Sequence, residues 1–425
     1  MPDTNVYDEL EWRGVVFDST PEVKDLLGSQ KISLYCGFDP TADSLHVGSL
    51  MPVMGLARMQ RFGHRPVALV GGGTGLIGDP SGKSQERSLL TPEQVEANLA
   101  GIRSQLEKFL DFGPGDASAV IDNNARWLCE MSAVDFMRDT GKYFTVNYML
   151  AKESVKRRLA TEDGLSYTEF SYMLLQAHDF LVLYDEYNCV LQIGGSDQWG
   201  NILSGTDLIR RVRSERAHGL VFPLVTSSTG AKFGKTEAGT VWLDPERTSP
   251  YKFYQFWLNT DDRDVGRYLK YFTWLDRGEI EGLESELESN PGARQAHRRL
   301  AEEVTRQVHG ESELQRAIQA SQILFGGDMS KLSLRDVMEI FEDVPSQELD
   351  RHRFEGEGIS VVDLLDELDV VSSKGEARRL LKGGGVRLNN NPIDENKLVS
   401  TADAIDERLL VLRKGKKNYH LVEIR

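Results

Sequence analysis

Leu34-Tyr35-Cys36-Gly37-Phe38-Asp39-Pro40-Thr41-Ala42-Asp43-Ser44-Leu45-His46-Val47-Gly48-Ser49-Leu50 decides the fold. Lys31 to Phe38 is short, largely apolar and compatible with a buried strand. Gly37 and Pro40 interrupt it, because proline cannot donate to a strand ladder. Thr41, Asp43 and Ser44 are candidate helix N-caps, and Leu50, Val53, Met54 and Ala57 follow at helical spacing. A strand that turns directly into a helix gathers unsatisfied N–H groups and the positive end of a helix dipole, which suits an anion. His46 and Gly48 lie at that helix start, one able to donate to a phosphate and the other leaving room for it. The stretch reads as a cradle for a nucleoside triphosphate.

Outward from it, strands and helices alternate. Val67-Ala68-Leu69-Val70 reads as a second buried strand, followed by the glycine-dense run Gly71 to Lys83. Thr91-Pro92-Glu93-Gln94 carries a cap, a proline at the first helical position and an acid in the first turn. Met131 to Thr140 reads as another helix. Tyr167 to Leu183 places Phe170, Met173, Leu174, Ala177 and Leu181 at helical spacing. Cys189 to Ile193 is a third short strand, turned by Gly194 to Asn201 into a helix ending in Arg210, Arg211 and Arg213. This order predicts an α/β, Rossmann-like domain with a mostly parallel sheet, binding ligands at the strands' carboxyl ends.

The remaining organisation follows from composition. The 425 residues predict two or three domains. Residues 1–222 are expected to form the Rossmann-like domain. Residues 223–326 would form a helical domain preceded by a polar loop, with Tyr251, Phe253, Tyr254, Phe256, Trp257, Tyr268, Tyr271 and Phe272 as its core. Residues 327–358, one helix at Leu334 to Phe341 and then an acidic stretch, read as a linker, and 359–425 as a small α+β domain. From Ile359 onward 12 Lys and Arg face 11 Asp and Glu, against 38 and 55 in the remainder, so the tail departs from the acidic body. The net charge of −16 argues against nonspecific nucleic-acid coating but leaves room for a local basic face. There is no run of about 18 apolar residues, as a membrane span requires. Met1 to Gly14 is acidic and lacks a signal-peptide core. Cys36, Cys129 and Cys189 are few and unpaired by spacing, which predicts a reducing, cytoplasmic home.

Several motifs admit both a functional and a plain reading. Gly73-Thr74-Gly75-Leu76-Ile77-Gly78 matches a dinucleotide fingerprint, but Asp79-Pro80 follows where a helix should open, and Glu93 and Glu96 fall inside a helix. Ser81-Gly82-Lys83-Ser84 resembles the end of a P-loop with one residue too few. What survives is a loop offering Asp79, Lys83 and Arg87. Lys232-Phe233-Gly234-Lys235-Thr236 pairs two lysines that, without context, would simply be solvated. Beside the His46 helix start, they could swing onto a pyrophosphate as its charge develops. Tyr172, Gln176 and Asp179 share one helix face flanked by apolar residues. A carboxylate buried there needs a partner, and a substrate donor would serve. No histidine has metal-ligand spacing to a second His or Cys, so no protein-held metal is expected. In the tail, Lys374, Arg378 and Lys382 share a face with Arg379 near it, and Lys414, Lys416 and Lys417 form a second cluster. Such a face either meets water or anchors RNA through its phosphates.

Together these motifs resemble those of the bacterial tyrosyl-tRNA synthetases, class I aminoacyl-tRNA synthetases. The resemblance covers nearly the whole chain: Tyr35 to Gly48, Gly78 to Lys83, Tyr167 to Tyr172, Gln192 to Asn201 and Lys232 to Thr236 occur in the family's order. It implies formation of tyrosyl-adenylate from L-tyrosine and ATP with Mg2+, then transfer to tRNA(Tyr), by a homodimer. Laid on matching positions, Tyr35 and Asp179 would bind the phenol hydroxyl. Asp79, Tyr172 and Gln176 would hold the ammonium, and Gln198 the carboxylate region. Cys36, Gly195 and Asp197 would meet the ribose, and Asp39 the nucleotide side of the adenylate. Thr41 and His46 would meet the γ-phosphate beside Gly48, and Lys83, Arg87, Lys232 and Lys235 would close on pyrophosphate. The tail resembles a small RNA-binding fold.

Two departures accompany the resemblance. Ser49 stands where the first signature ordinarily has a second histidine, and Phe233-Gly234 and Thr236 stand where the class-wide lysine motif has Met-Ser and Ser. Two alternatives compete: a tryptophan-specific relative, and an RNA-binding protein that kept the fold and lost the chemistry. Tyr35 with Asp179 argues against the first, and His46 with the lysines against the second.

Overall fold

The computed structural model describes residues 5–81, 90–160, 164–228, 230, 233–236, 239–324, 329, 334–341, 344–415 and 418–425. Its contacts divide the chain into two units, Met1–His309 and Gly310–Arg425. In chain order the first unit begins with α1 (Val6–Trp12), β1 (Asp18–Ser19), α2 (Val23–Ser29), β2 (Ser33–Phe38), α3 (Leu50–Arg61), β3 (Arg65–Val70), α4 (Pro92–Leu106) and β4 (Val120–Asn123). Then come α5 (Ala125–Leu128), α6 (Ala133–Asp139), α7 (Val146–Leu150), α8 (Glu153–Leu159), α9 (Tyr167–Tyr187), β5 (Cys189–Gly195), α10 (Trp199–Arg213) and β6 (His218–Phe222). The hairpin β7 (Lys235–Thr236) and β8 (Gly239–Thr240) precedes α11 (Pro250–Leu258), α12 (Asp262–Phe272), α13 (Arg277–Ser289) and α14 (Gln295–His309).

The main sheet has the order β1-β6-β5-β2-β3-β4 and is parallel except for β1. The chain runs from β2 out to β3 and β4, then returns to lay β5 on the other side of β2. That reversal is a topological switch point and leaves a crevice at the carboxyl ends of β2 and β5. The interior strands are buried because helices cover the sheet. Tyr35, Val67 and Leu69 pack with Phe180 and Leu183 of α9 and Leu208 and Ile209 of α10. Helix α3 approaches so closely at Gly55 that a Cβ there would lie 2.4 Å from the Phe222 ring. Among the described residues no helix is long and apolar enough to cross a membrane.

The boundary expected at residue 222 is not where the units separate. Buried Arg58, near the end of α3, donates through Nη2 to the carbonyls of Lys270, Tyr271 and Thr273 at 3.1, 2.7 and 3.2 Å. Arg13 donates to the carbonyls of Lys270, Thr273 and Leu275 at 2.9, 3.3 and 2.8 Å. Two guanidinium groups thus satisfy carbonyls at and beyond the end of α12, where the helix dipole favours cations. These bonds join the helices after 250 to the sheet domain. The expected aromatic core is present there, with Phe253, Trp257 and Phe272 buried.

The second unit contains α15 (Glu311–Leu324), α16 (Leu334–Ile340), β9 (Ser346–Leu349), β10 (Ile359–Ser360), α17 (Val361–Glu367), α18 (Lys374–Lys382), β11 (Val386–Leu388), β12 (Asn391–Pro392), β13 (Leu398–Val399), β14 (Leu409–Lys414) and β15 (Asn418–Ile424). Five strands form a sheet in the order β12-β11-β14-β15-β9. The expected linker over 327–358 is corrected by it. Strand β9 pairs in parallel with β15, and Met329, Val337 and Phe341 pack on Leu409, Val411, Tyr419 and Leu421. The polar Ser346, Gln347 and Glu348 read as linker because an edge strand's outward residues can be polar while its backbone bonds.

Candidate active site

At the switch point Tyr35, Cys36, Asp39, Thr41, His46, Gly48, Asp79, Tyr172, Gln176, Asp179, Gly195, Asp197 and Gln198 line one cavity of about 350 Å³. They come from strand ends, helix faces and the loops after β2 and β3, and parallel pairing brings them together. Ser49 lines it as well, as the last residue of a 3-10 turn, Val47–Ser49, that leads into α3.

The cap of that turn corrects an expectation. Neither Thr41, Asp43 nor Ser44 caps it; His46 does, its Nδ1 accepting from the Gly48 N–H at 3.0 Å. In the neutral ring this assignment puts the proton on Nε2. A Cβ on residue 48 would lie 2.8 Å from the imidazole, so glycine permits the fold-back. Ser44 instead donates to the Leu45 carbonyl at 2.7 Å and accepts from Gln105 Nε2 at 3.0 Å. Helix α4 supports the whole loop. Asn98 Nδ2 donates to the Pro40 carbonyl at 2.8 Å, and Gln105 Oε1 accepts from the Leu45 N–H at 2.8 Å. Gly101 lies so close that a Cβ there would sit 1.9 Å from the Asp43 carbonyl oxygen.

The polar groups of the cavity are organised into two sets. Asp179 is buried; its Oδ1 accepts from Trp127 Nε1 at 2.7 Å and its Oδ2 from Asn124 Nδ2 at 2.9 Å. Burial pushes its carboxyl up to about 7, against the lowering effect of those two donors. The Tyr35 hydroxyl is buried with no hydrogen-bond partner among the described residues, and burial followed by the charge of Asp179 holds its pKa well above the usual phenol value. In the second set, Asp79 accepts from Gln198 Nε2 at 2.6 Å and from the Ser81 N–H at 2.9 Å. The Tyr172 hydroxyl donates to Asp39 Oδ2 at 2.9 Å, while Thr74 Oγ1 donates to Asp39 Oδ1 at 2.8 Å. Gln176 Oε1 accepts from Asn201 Nδ2 at 2.9 Å. Burial pushes the Cys36 thiol up to about 12, which keeps it a neutral donor.

The segment that follows the lysine motif reaches the same helix start through its backbone. Val47 N–H donates to the Val241 carbonyl at 3.1 Å, and Leu243 N–H to the Leu45 carbonyl at 2.9 Å. Gly234, at φ +75°, packs so that a Cβ would lie 2.6 Å from Val47. Phe233 stacks on Phe272, with centroids 5.7 Å apart and planes at 3°, and meets Tyr268 edge-on at 5.1 Å. Lys235 lies in β7 and is exposed. Lys83, Arg87 and Lys232 lie outside the described residues.

In the second unit the expected basic helix is α18, capped by Ser373. Lys374 pairs with Asp363 at 2.8 Å and Lys382 with Glu395 at 3.2 Å. Lys414 donates to the Val370 carbonyl at 2.9 Å and pairs with Glu376 at 3.2 Å, so much of its donor capacity is already engaged. Arg378 and Arg379 are exposed and have no ion pair among the described residues. Lys416 and Lys417 lie outside the described residues.

Asn124 and Trp127 escaped the sequence reading. The partner expected for Asp179 was a substrate donor, yet two protein donors already hold it. Their only local signal was a run, Asn123-Asn124-Ala125-Arg126-Trp127, that starts at the last residue of the short β4 strand.

A parallel sheet with a histidine-glycine helix start and a lysine motif against it defines a class I aminoacyl-tRNA synthetase domain. Residues 28–326 match the class I tRNA synthetases (W and Y), and residues 336–422 match the tyrosine–tRNA ligase SYY-like C-terminal domain. The tyrosine–tRNA ligase of Roseiflexus castenholzii is 57% identical over 422 residues, 99% of this chain and 100% of the relative. That of Bacillus caldotenax is 52% identical over 418 residues, 97% and 98% of the two chains. A solved C-terminally truncated mitochondrial tyrosyl-tRNA synthetase of Aspergillus nidulans is 30% identical with a TM-score of 0.69, covering 75% of this chain and 94% of that one. This chain belongs to the tyrosine–tRNA ligases.

Proposed function

We propose that the enzyme joins L-tyrosine to ATP and then to tRNA(Tyr). The tyrosine carboxylate attacks the α-phosphorus, pyrophosphate leaves, and the 3′-terminal hydroxyl of the tRNA then displaces AMP from tyrosyl-adenylate. Neither displacement needs a protein nucleophile, so the residues act by positioning and by stabilising charge.

The observation that carries the tyrosine reading is the buried pair of Tyr35 hydroxyl and Asp179 carboxylate on one cavity wall. A phenol hydroxyl placed between them donates to Asp179 and accepts from Tyr35. Asp79, Tyr172 and Gln176 hold the substrate ammonium, and Gln198, bonded to Asp79, faces its carboxylate. Cys36, Gly195 and Asp197 contact the ribose, and Asp39 the nucleotide side. Thr41 and the Nε2–H of His46 meet the γ-phosphate beside Gly48. Lys83, Arg87, Lys232 and Lys235 neutralise the departing pyrophosphate, a contact that strengthens as charge develops. Magnesium enters with ATP, whose phosphate oxygens supply its ligands. Ser49 donates one hydrogen bond where the class pattern has an imidazole.

Lys374, Arg378, Arg379, Lys382, Lys414, Lys416 and Lys417 provide the phosphate-contacting face for tRNA. The enzyme works in the cytoplasm as a homodimer. Support for the dimer comes from the insertion between β4 and β5, where Val134, Met137, Val146 and Leu159 are 72, 56, 60 and 51% exposed. Amino-acid-dependent ATP–pyrophosphate exchange tests the assignment. Exchange with tyrosine and not with tryptophan is expected; none with tyrosine, or equal rates with both, overturns it.

A further inference from the structure

A second cavity, of about 690 Å³, lies in the first unit at the amino-terminal edge of the sheet. Its walls include Lys31 just before β2, Arg61 at the end of α3, and Lys108 after α4. The volume is in the range of small-molecule sites. None of its residues belongs to the tyrosine and ATP cavity at the opposite strand ends.

The walls are held in place without a ligand. The Gln60 amide clamps the 111–117 loop, donating to the carbonyls of Asp111 and Ala117 at 2.6 and 2.9 Å and accepting from the Asp111 N–H at 2.9 Å. The Arg61 guanidinium carbon lies 3.4 Å from the Trp274 ring centroid. Lys108 Nζ donates to the Val308 carbonyl at 3.1 Å.

Two features point to a ligand. Lys31 and Arg61 have no carboxylate at ion-pair distance among the described residues, although Asp111 and Asp116 line the same cavity. The charges of Lys31 and Lys108 are felt nearby: burial and Lys31 push His64 down to about 4, and burial and Lys108 push His309 down to about 3. Separately, Gln307 commits its Nε2 to the carbonyls of Phe272 and Glu303 at 3.1 and 3.0 Å, while its Oε1 is buried and accepts from no described residue. The wall therefore offers cations for an anion, an acceptor for an N–H donor, and an indole and a guanidinium, the surfaces on which bases stack.

We propose that this cavity is a second ligand site that takes a nucleoside monophosphate, its phosphate on Lys31, Arg61 and Lys108 and a base amino group on Gln307. AMP carries both groups and is released by the second step of the proposed reaction.

Calorimetric titration of the full-length enzyme with AMP tests this, with the first cavity filled by a non-hydrolysable tyrosyl-adenylate analogue. That blocking step rests on the tyrosine reading, and failure of the analogue itself to bind would indict that reading and not this one. About one AMP per chain is expected. Lys31→Ala and Arg61→Ala should each weaken it at least tenfold. Gln307→Leu should weaken AMP while leaving inorganic phosphate unchanged. Pyrophosphate exchange by each variant, unchanged from the parent, reports that the fold is kept. Absence of AMP binding in the blocked enzyme, equal binding by the variants, or inorganic phosphate binding as tightly as AMP would each overturn the proposal.

Discussion

The indole N–H of Trp127 donates to Asp179 at 2.7 Å across 52 residues of sequence. Asn124 completes the arrangement, donating to Asp179 and, at 3.0 Å, to Thr74 Oγ1, while its own Oδ1 accepts from the Gly73 N–H at 2.8 Å. One asparagine therefore couples the glycine-rich loop to the carboxylate assigned to the substrate phenol. A hydrogen bond to a charged group contributes about 1.5–3 kcal/mol. Asn124→Ala should raise the KM for tyrosine about tenfold or more and leave the KM for ATP unchanged in pyrophosphate exchange. Asp179→Ala should weaken tyrosine still further with the same selectivity; equal losses for both substrates would remove Asp179 from the phenol site.

The same carboxyl makes a pH prediction. Asp179 rises from 3.8 to about 7 on folding. Between those values the folded state binds more protons than the unfolded chain, so this group's contribution to stability falls as pH rises and is constant above about 7. The slope is at most about 1.4 kcal/mol per pH unit. The melting temperature of the parent relative to Asp179→Asn should therefore increase on going from pH 8 to pH 5. A difference that stays flat would show that Asp179 is ionised throughout.

Gly101 should be intolerant despite lying in a helix, where alanine is intrinsically favoured by about 1 kcal/mol. Its added methyl would collide with the Asp43 backbone and lift the loop that carries Thr41 and His46. Gly101→Ala is expected to lower kcat for exchange at least tenfold. Gly282→Ala in α13, where a Cβ meets nothing within 4 Å, should leave activity intact and match or raise the melting temperature.

Phe233 anchors the lysine motif on the aromatic cluster of α11 and α12. Phe233→Ala should release that anchor and reduce kcat for activation about tenfold, with the tyrosine KM little changed. Phe233→Leu, which keeps most of the apolar volume, should fall between the two in single-turnover measurements.

Truncation distinguishes the observed second unit from the expected linker and tail. A chain ending at residue 358 keeps Val337 and Phe341 but loses their partners Leu409, Val411, Tyr419 and Leu421. It should aggregate in size-exclusion chromatography. A chain ending at residue 324 removes that unit's sheet entirely. It should stay dispersed, retain exchange and charge tRNA poorly.

Much of the site was legible because its residues sit in short contiguous motifs. Tyr35, Thr41, His46 and Gly48 are consecutive along a strand, turn and helix, and Tyr172, Gln176 and Asp179 repeat at helical spacing, so local geometry alone aims each group together. The helix cap was misread because Thr41, Asp43 and Ser44 are better intrinsic caps than histidine, while packing on α4 sends Ser44 to Leu45 and Gln105. The linker was misread because the strand signal of Ser346–Leu349 is its backbone pairing, which composition does not report.

Local periodicity and punctuation by themselves determined the alternating strands and helices and the helix starting after His46, and the order of the motifs carried the family resemblance. Tertiary structure alone decided that Asn124 and Trp127 hold Asp179, that α4 props the signature loop, that Arg13 and Arg58 bind the carbonyls ending α12, and that β9 closes the second sheet. Each of these links residues far apart in the chain. Such links depend on strand register and helix packing, which set distances that no local pattern carries.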